Sequence, residues 1–149
     1  MTVRPIVCAT RGGEASRRTQ ERAIALAREQ GAPLIFLFVA DTSPMNMKMK
    51  PAKDLADVLA DELEQLGSSL LCIAQARAHE HGIEAEMVVR RGAVRPALES
   101  FLREVDAGTL VIGAPEHGAE HPPVFDPAGM DHFAGQIRAG LGVEVVVVE

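Results

Sequence analysis

The chain has no tryptophan and no tyrosine, and five phenylalanines are the whole aromatic content of its 149 residues. It is also short of positive charge: 15 Lys plus Arg face 21 Asp plus Glu, for a formal charge of -6. Nucleic-acid binding draws on base-stacking aromatics and on a basic track that releases counterions from phosphates. This composition supplies neither, so no nucleic-acid partner is expected. Cysteine is scarce, with Cys8 in a strand-like apolar run and Cys72 in a long helical pattern. That excludes a disulfide framework and suits reduced thiols in a cytosol. The longest apolar run, Leu34 to Ala40, is far below the roughly 20 residues a membrane-spanning helix needs. Met1-Thr2-Val3-Arg4-Pro5 has none of the apolar stretch of a secretory leader. The expectation is a cytoplasmic protein with no membrane partner. Catalytic signatures are missing as well: there is no Gly-x4-Gly-Lys-Ser/Thr, Gly-x-Ser-x-Gly, His-Glu-x-x-His or Cys-x-x-Cys. No catalytic residue is assigned, and the chain is not expected to be an enzyme.

What is present is a regular alternation. Pro5 to Thr10, Leu34 to Ala40, Ala85 to Val89, Thr109 to Ile112 and Val143 to Val148 are short runs rich in Val, Ile and Leu, the composition of buried parallel strands. Between them lie four helical patterns. Ser16 to Gln30 places Ala23, Ile24, Leu26 and Ala27 on one stripe, with Ser16 as a candidate N-cap and Gly31 just past the end. From Lys53 to His81, Leu55, Leu59, Leu63, Leu66, Leu70 and Ile73 recur in steps of four and three, one apolar face over about 40 Å at 1.5 Å per residue. Gly82 closes it, and His79 and His81 most simply end the helix, where a cationic side chain suits the dipole. Val94 to Val105 turns Leu98, Phe101, Leu102 and Val105 inward, and roughly Met130 to Ala139 does so with Phe133, Ala134 and Ile137. Strict β-α alternation implies right-handed crossovers and a single α/β domain over residues 1–149, a doubly wound five-stranded parallel sheet with helices on both faces.

In such sheets a ligand sits outside the carboxyl ends of the strands, where strand order reverses. Two strand ends fit: Cys8-Ala9-Thr10-Arg11-Gly12-Gly13 and Leu110-Val111-Ile112-Gly113. Two long segments, Asp41 to Ala52 and Ala114 to about Gly129, follow strand ends and have the length of functional loops. The candidate crevice residues are Thr10, Arg11, Gly12, Gly13, Val39, Gly92, Gly113 and Glu116.

Over nearly its whole length the chain resembles the universal stress protein family. The resemblance rests on Ile6-Val7-Cys8-Ala9-Thr10 opening into a glycine-containing turn, Leu37-Phe38-Val39, Val88-Val89-Arg90-Arg91-Gly92, the run Val105-Asp106-Ala107-Gly108-Thr109-Leu110-Val111-Ile112-Gly113, and the closing valine strand. It implies the adenine nucleotide alpha hydrolase-like fold and a stress-response binding or regulatory role. Nucleotide-binding members also carry an Asp after the first strand and a Gly-x2-Gly-x9-Gly-Ser/Thr loop after the fourth. Here Arg11 stands in place of the Asp. Gly113 matches the first loop glycine, but Glu116 occupies the second position and Asp131-His132 the last pair, with about five extra residues between. Those glycines let main-chain N–H groups approach phosphate oxygens. Ala114 to Gln136 instead holds Glu116, Glu120, Asp126 and Asp131 without one Lys or Arg. Weak or no ATP binding and no resident cofactor are expected.

Arg11 is a candidate cap on the crevice, pairing with Glu116, with Asp126 or with an anionic ligand, against the alternative of a solvated loop arginine. Glu116-His117-x-x-Glu120-His121 with His132 has metal-binding side chains, but Gly118 and Pro122-Pro123 oppose a helix there, and no metal site is assigned. Met45, Met47 and Met49 form a soft-ligand run whose commoner reading is an exposed adaptable lid. The resemblance also implies a homodimer through Val143 to Val148, whose edge offers unpaired main-chain groups; an unknown protein partner stays open. Two alternatives stand beside this reading: a sensor of AMP-like ligands or ATP through Thr10, Val39 and Gly113, and a metal-dependent hydrolase using residues 114–132.

Overall fold

A computed structural model describes residues 3–10, 14–41, 53–114 and 127–148. In chain order the elements are β1 (Ile6–Ala9), α1 (Glu14–Gln30), β2 (Leu34–Ala40), α2 (Lys53–Glu80), β3 (Glu86–Arg91), α3 (Val94–Glu104), β4 (Thr109–Gly113), α4 (Pro127–Leu141) and β5 (Glu144–Val148). The strands form one sheet in the order β3-β2-β1-β4-β5, with all four pairings parallel. This is the expected doubly wound α/β architecture.

Because strand side chains alternate between faces, the sheet divides the core in two. Ile6, Cys8, Phe36, Phe38 and Val111 pack with Ala23, Ile24 and Ala27 of α1 and Leu71, Ala74 and Ala78 of α2. Val7, Ile35, Leu37, Leu110 and Ile112 pack on the opposite face with Leu98, Phe101 and Leu102 of α3 and Phe133 and Ile137 of α4. At Gly31 the main chain turns with φ +62°, and Ala32 N–H bonds the Ala27 carbonyl at 3.1 Å. This is the left-handed helix ending that glycine adopts without a Cβ penalty.

Four local expectations need correction. Ser16 is the third residue of α1 and buried, so it is not the N-cap; the apolar stripe locates a helix face but not its first residue. The fourth helix begins at Pro127, not near Met130, so residues 127–129 belong to a helix and not to the preceding loop. Proline suits a first helical position because its missing N–H would have no partner there. The third strand ends at Arg91 rather than Val89, and it is an edge strand, exposed along most of its length.

The fourth correction concerns α2. Its inward face is Gly67, Leu71, Ala74 and Ala78, with Leu63 and Leu70 on the flank, whereas Leu66 and Ile73 are 53% and 51% exposed. Small residues face the sheet because the helix axis lies close to it. A Cβ on Gly67 would stand 2.7 Å from Cγ and Cε1 of Phe38 and closer still to Cδ1.

Urea denaturation checks this face of α2. Gly67→Ala lowers stability by about 1–3 kcal/mol through overpacking, although alanine is the better helix former. Leu71→Ala costs about 2–5 kcal/mol, while Leu66→Ala stays within about 0.5 kcal/mol.

Candidate functional site

Strand β1 pairs with β2 on one side and β4 on the other, so the strand order reverses at the carboxyl end of β1. The register Cys8↔Val111 carries Thr10 to the level of Gly113. Both expected site residues therefore stand at the carboxyl ends of the two strands that meet at the switch point. Val39 stands near the carboxyl end of β2, half-buried against the core on the α3 and α4 side. Gly92 follows β3, one strand further out, and its N–H donates to the Ala40 carbonyl at 3.2 Å. Its φ of +128° is one that side-chain-bearing residues rarely adopt, so the turn from β3 into α3 requires glycine. Arg11, Gly12, Gly13 and Glu116 lie outside the described residues, as do the Met45, Met47 and Met49 run and the His117 and His121 pair.

Thr10 is 4% exposed. Its N–H donates to the Leu37 carbonyl at 3.0 Å, and its hydroxyl oxygen accepts from Gln20 Nε2 at 2.8 Å. Gln20 Oε1 in turn accepts from Arg77 Nη1 at 2.7 Å. The guanidinium on α2 thus fixes which way the Gln20 amide faces, and the amide fixes a lone pair of Thr10. With that lone pair engaged, the Thr10 hydroxyl keeps its proton to donate. Beside it, Thr19 packs against the end of β4: a Cβ on Gly113 would meet Thr19 Oγ1 at 3.1 Å. Gly113 is therefore also a site of close helix-to-strand approach.

Sequence reasoning missed Thr19, Gln20, Arg77 and Asp41. The signal for the α1 pair was present: Thr19 and Gln20 precede Ala23 and Ala27 at helical spacing, so they are polar residues on an apolar stripe. Asp41 lies immediately past the end of β2. Its Oδ2 accepts from Val94 N–H at 3.1 Å, so a carboxylate 53 positions away satisfies the first turn of α3.

The two arginines before Gly92 are held away from the crevice. Arg90 pairs with Glu104 at 3.3 Å and lies over the Phe101 ring, 5.3 Å from its centroid. Arg91 bonds Glu64 at 2.9 Å and also pairs with Asp61. The hydrogen bond from Arg91 holds the Glu64 carboxyl below its ordinary range and, with Asp61, pushes the Arg91 guanidinium up. Burial pushes the Cys8 thiol up. Asp131 and His132 are exposed and lie more than a turn inside α4, not at its start. Among the described residues no three His, Cys, Asp or Glu side chains gather as a metal site.

The model of the universal stress protein family matches residues 2–121 of this chain. The chain belongs to the universal stress protein family. Comparison with curated proteins gives no match. Among solved structures, the universal stress protein UspA from Lactobacillus plantarum superposes with a TM-score of 0.75 at 15% identity, covering 100% of this chain and 99% of that one. A universal stress protein from Archaeoglobus fulgidus in complex with dAMP gives 0.62 at 20% identity, with 100% of each chain covered. A universal stress protein in complex with cAMP gives 0.67 at 24% identity, covering 100% and 99%. These likenesses establish the shared fold. No helix among the described residues is long and apolar enough to cross a membrane.

Two measurements check the site. Gln20→Leu leaves the Arg77 and Thr10 groups without their shared partner and costs about 1–3 kcal/mol in chemical denaturation. Thiol titration of the native protein finds Cys72, which is exposed, reacting at once, and the buried Cys8 reacting only after unfolding.

Proposed function

We propose that this universal stress protein is a small cytoplasmic binding or regulatory module, acting without catalysis, whose nucleotide site no longer holds a triphosphate. One observation carries this reading. The strand order brings the carboxyl ends of β1 and β4 together, and the sequence that continues from them carries Arg11 after the first and, before α4 begins at Pro127, Glu116, Glu120 and Asp126 with no Lys or Arg after the second. Like charges near one another at an effective dielectric near 20 repel by on the order of several kcal/mol, so a polyphosphate meets a hostile loop. The pairing of Arg90 and Arg91 with Glu104, Asp61 and Glu64 also leaves those cations committed elsewhere.

The second reading is a sensor of AMP-like ligands. It is favoured by the Thr10 hydroxyl, oriented by Gln20 as a donor at the switch point, and by family relatives seen in complex with dAMP and cAMP. Such a ligand carries acceptors for one donor and a single phosphate. The module is also read as a homodimer through β5, the sheet edge opposite β3.

Calorimetric titration with ATP, AMP and cAMP separates these readings. The expected result is no ATP binding at about millimolar concentration. AMP or cAMP binding at least about tenfold tighter than ATP supports the sensor reading. Micromolar ATP binding overturns both.

A further inference from the structure

We propose that Arg138 is a latch on the outer edge of β5 that controls pairing of this edge with β5 of a second copy of the chain, an inference that rests on the homodimer reading. The geometry begins with the β4·β5 ladder. Glu144 N–H donates to the Gly108 carbonyl at 3.0 Å, and the Val148 carbonyl accepts from Ala114 N–H at 2.8 Å. Residues 144, 146 and 148 therefore direct their main-chain groups toward β4, and alternation leaves those of Val145 and Val147 pointing away from the sheet. One of these outward groups is engaged: Arg138 Nη2, reaching from α4, donates to the Val145 carbonyl at 2.7 Å.

The occupant best matched to this edge is its own copy. Two β5 strands related by a two-fold axis run antiparallel, and pairing Val145 with Val147 of the second copy makes two hydrogen-bonded pairs, with four main-chain bonds. That register needs both Val145 carbonyls, the groups the Arg138 guanidiniums cover. With Arg138 in place the edge retains a register centred on Val147 alone, which makes a single such pair among residues 144–148. Val147 is 38% exposed, and β5 carries no proline or lysine to blunt it. Arg138 takes the place of those devices.

The opposite edge shows the contrast. Arg90 and Arg91 on β3 are held by carboxylates of α3 and α2. Arg138 is held by a carbonyl, and among the described residues no carboxylate pairs with it. A neutral acceptor is exchanged for a partner strand more readily than an ion pair.

Sedimentation velocity over a concentration series of wild type, Arg138→Met and Arg138→Met/Val147→Pro tests the latch. Methionine keeps an unbranched stem without the donor. Proline at 147 removes only an N–H that faces away from β4. Far-UV circular dichroism and urea midpoints establish that each variant is folded. The expected result is that Arg138→Met dimerises at least about tenfold more tightly than wild type, and that adding Val147→Pro abolishes the gain. Equal dimerisation of wild type and Arg138→Met overturns the latch while the dimer reading survives. Monomers throughout overturn both. Weaker dimerisation of Arg138→Met, or a gain that survives Val147→Pro, overturns the latch by assigning Arg138 or the contact to a different role.

Discussion

Strand β1 hydrogen-bonds to β2 along one side and to β4 along the other, and the architecture is organised around that double pairing. Ile6, Val7 and Cys8 have no solvent exposure, since successive side chains enter the two core layers and neither main-chain side is open. A strand so enclosed has to be apolar throughout, and its first polar side chain, Thr10, appears where the pairing ends. The same reversal of strand order that completes the core falls at the position where open α/β sheets admit ligands. Packing and site are consequences of a single topological fact.

The polar groups at this position are supported from a distance. Thr10 is oriented by Gln20 from α1, and Gln20 by Arg77 from α2. Asp41, just past β2, satisfies the start of α3. Each link spans two elements, so the geometry at the strand ends is set by helices whose main work is to cover the sheet. Among the described residues every buried side-chain nitrogen or oxygen has a partner. The network adds positional definition without leaving a costly orphan group.

Both sheet edges involve arginine, in different ways. On β3 the guanidiniums bridge to flanking helices and make the edge part of a charged surface, with apolar Met87 exposed beside them. On β5 one guanidinium covers a main-chain carbonyl directly. An edge flanked by ion pairs stays exposed, and its surface charges disfavour pairing with another strand. An edge covered through one neutral acceptor is held by a single hydrogen bond, against the several main-chain bonds that a partner strand would offer.

The sequence by itself determined the alternation of elements and the parallel α/β class, because these are written in local quantities: runs of Val, Ile and Leu, apolar steps of three and four, and the helix-ending Gly31, where φ turns positive; the family is written in short motifs such as Val88-Val89-Arg90-Arg91-Gly92. It also offered Thr10 and Gly113 as candidates, each just past or at the end of its strand. Tertiary structure alone decided which face of α2 turns inward. Periodicity marks an apolar stripe by size and spacing, whereas the sheet selects Gly67, Ala74 and Ala78 for closeness of approach and leaves Leu66 and Ile73 outside. It alone decided that the third strand is an edge, and that Arg77 and Arg138 bond to Gln20 and Val145. Such pairings depend on where separate elements come to rest, and spacing along the chain carries no record of that.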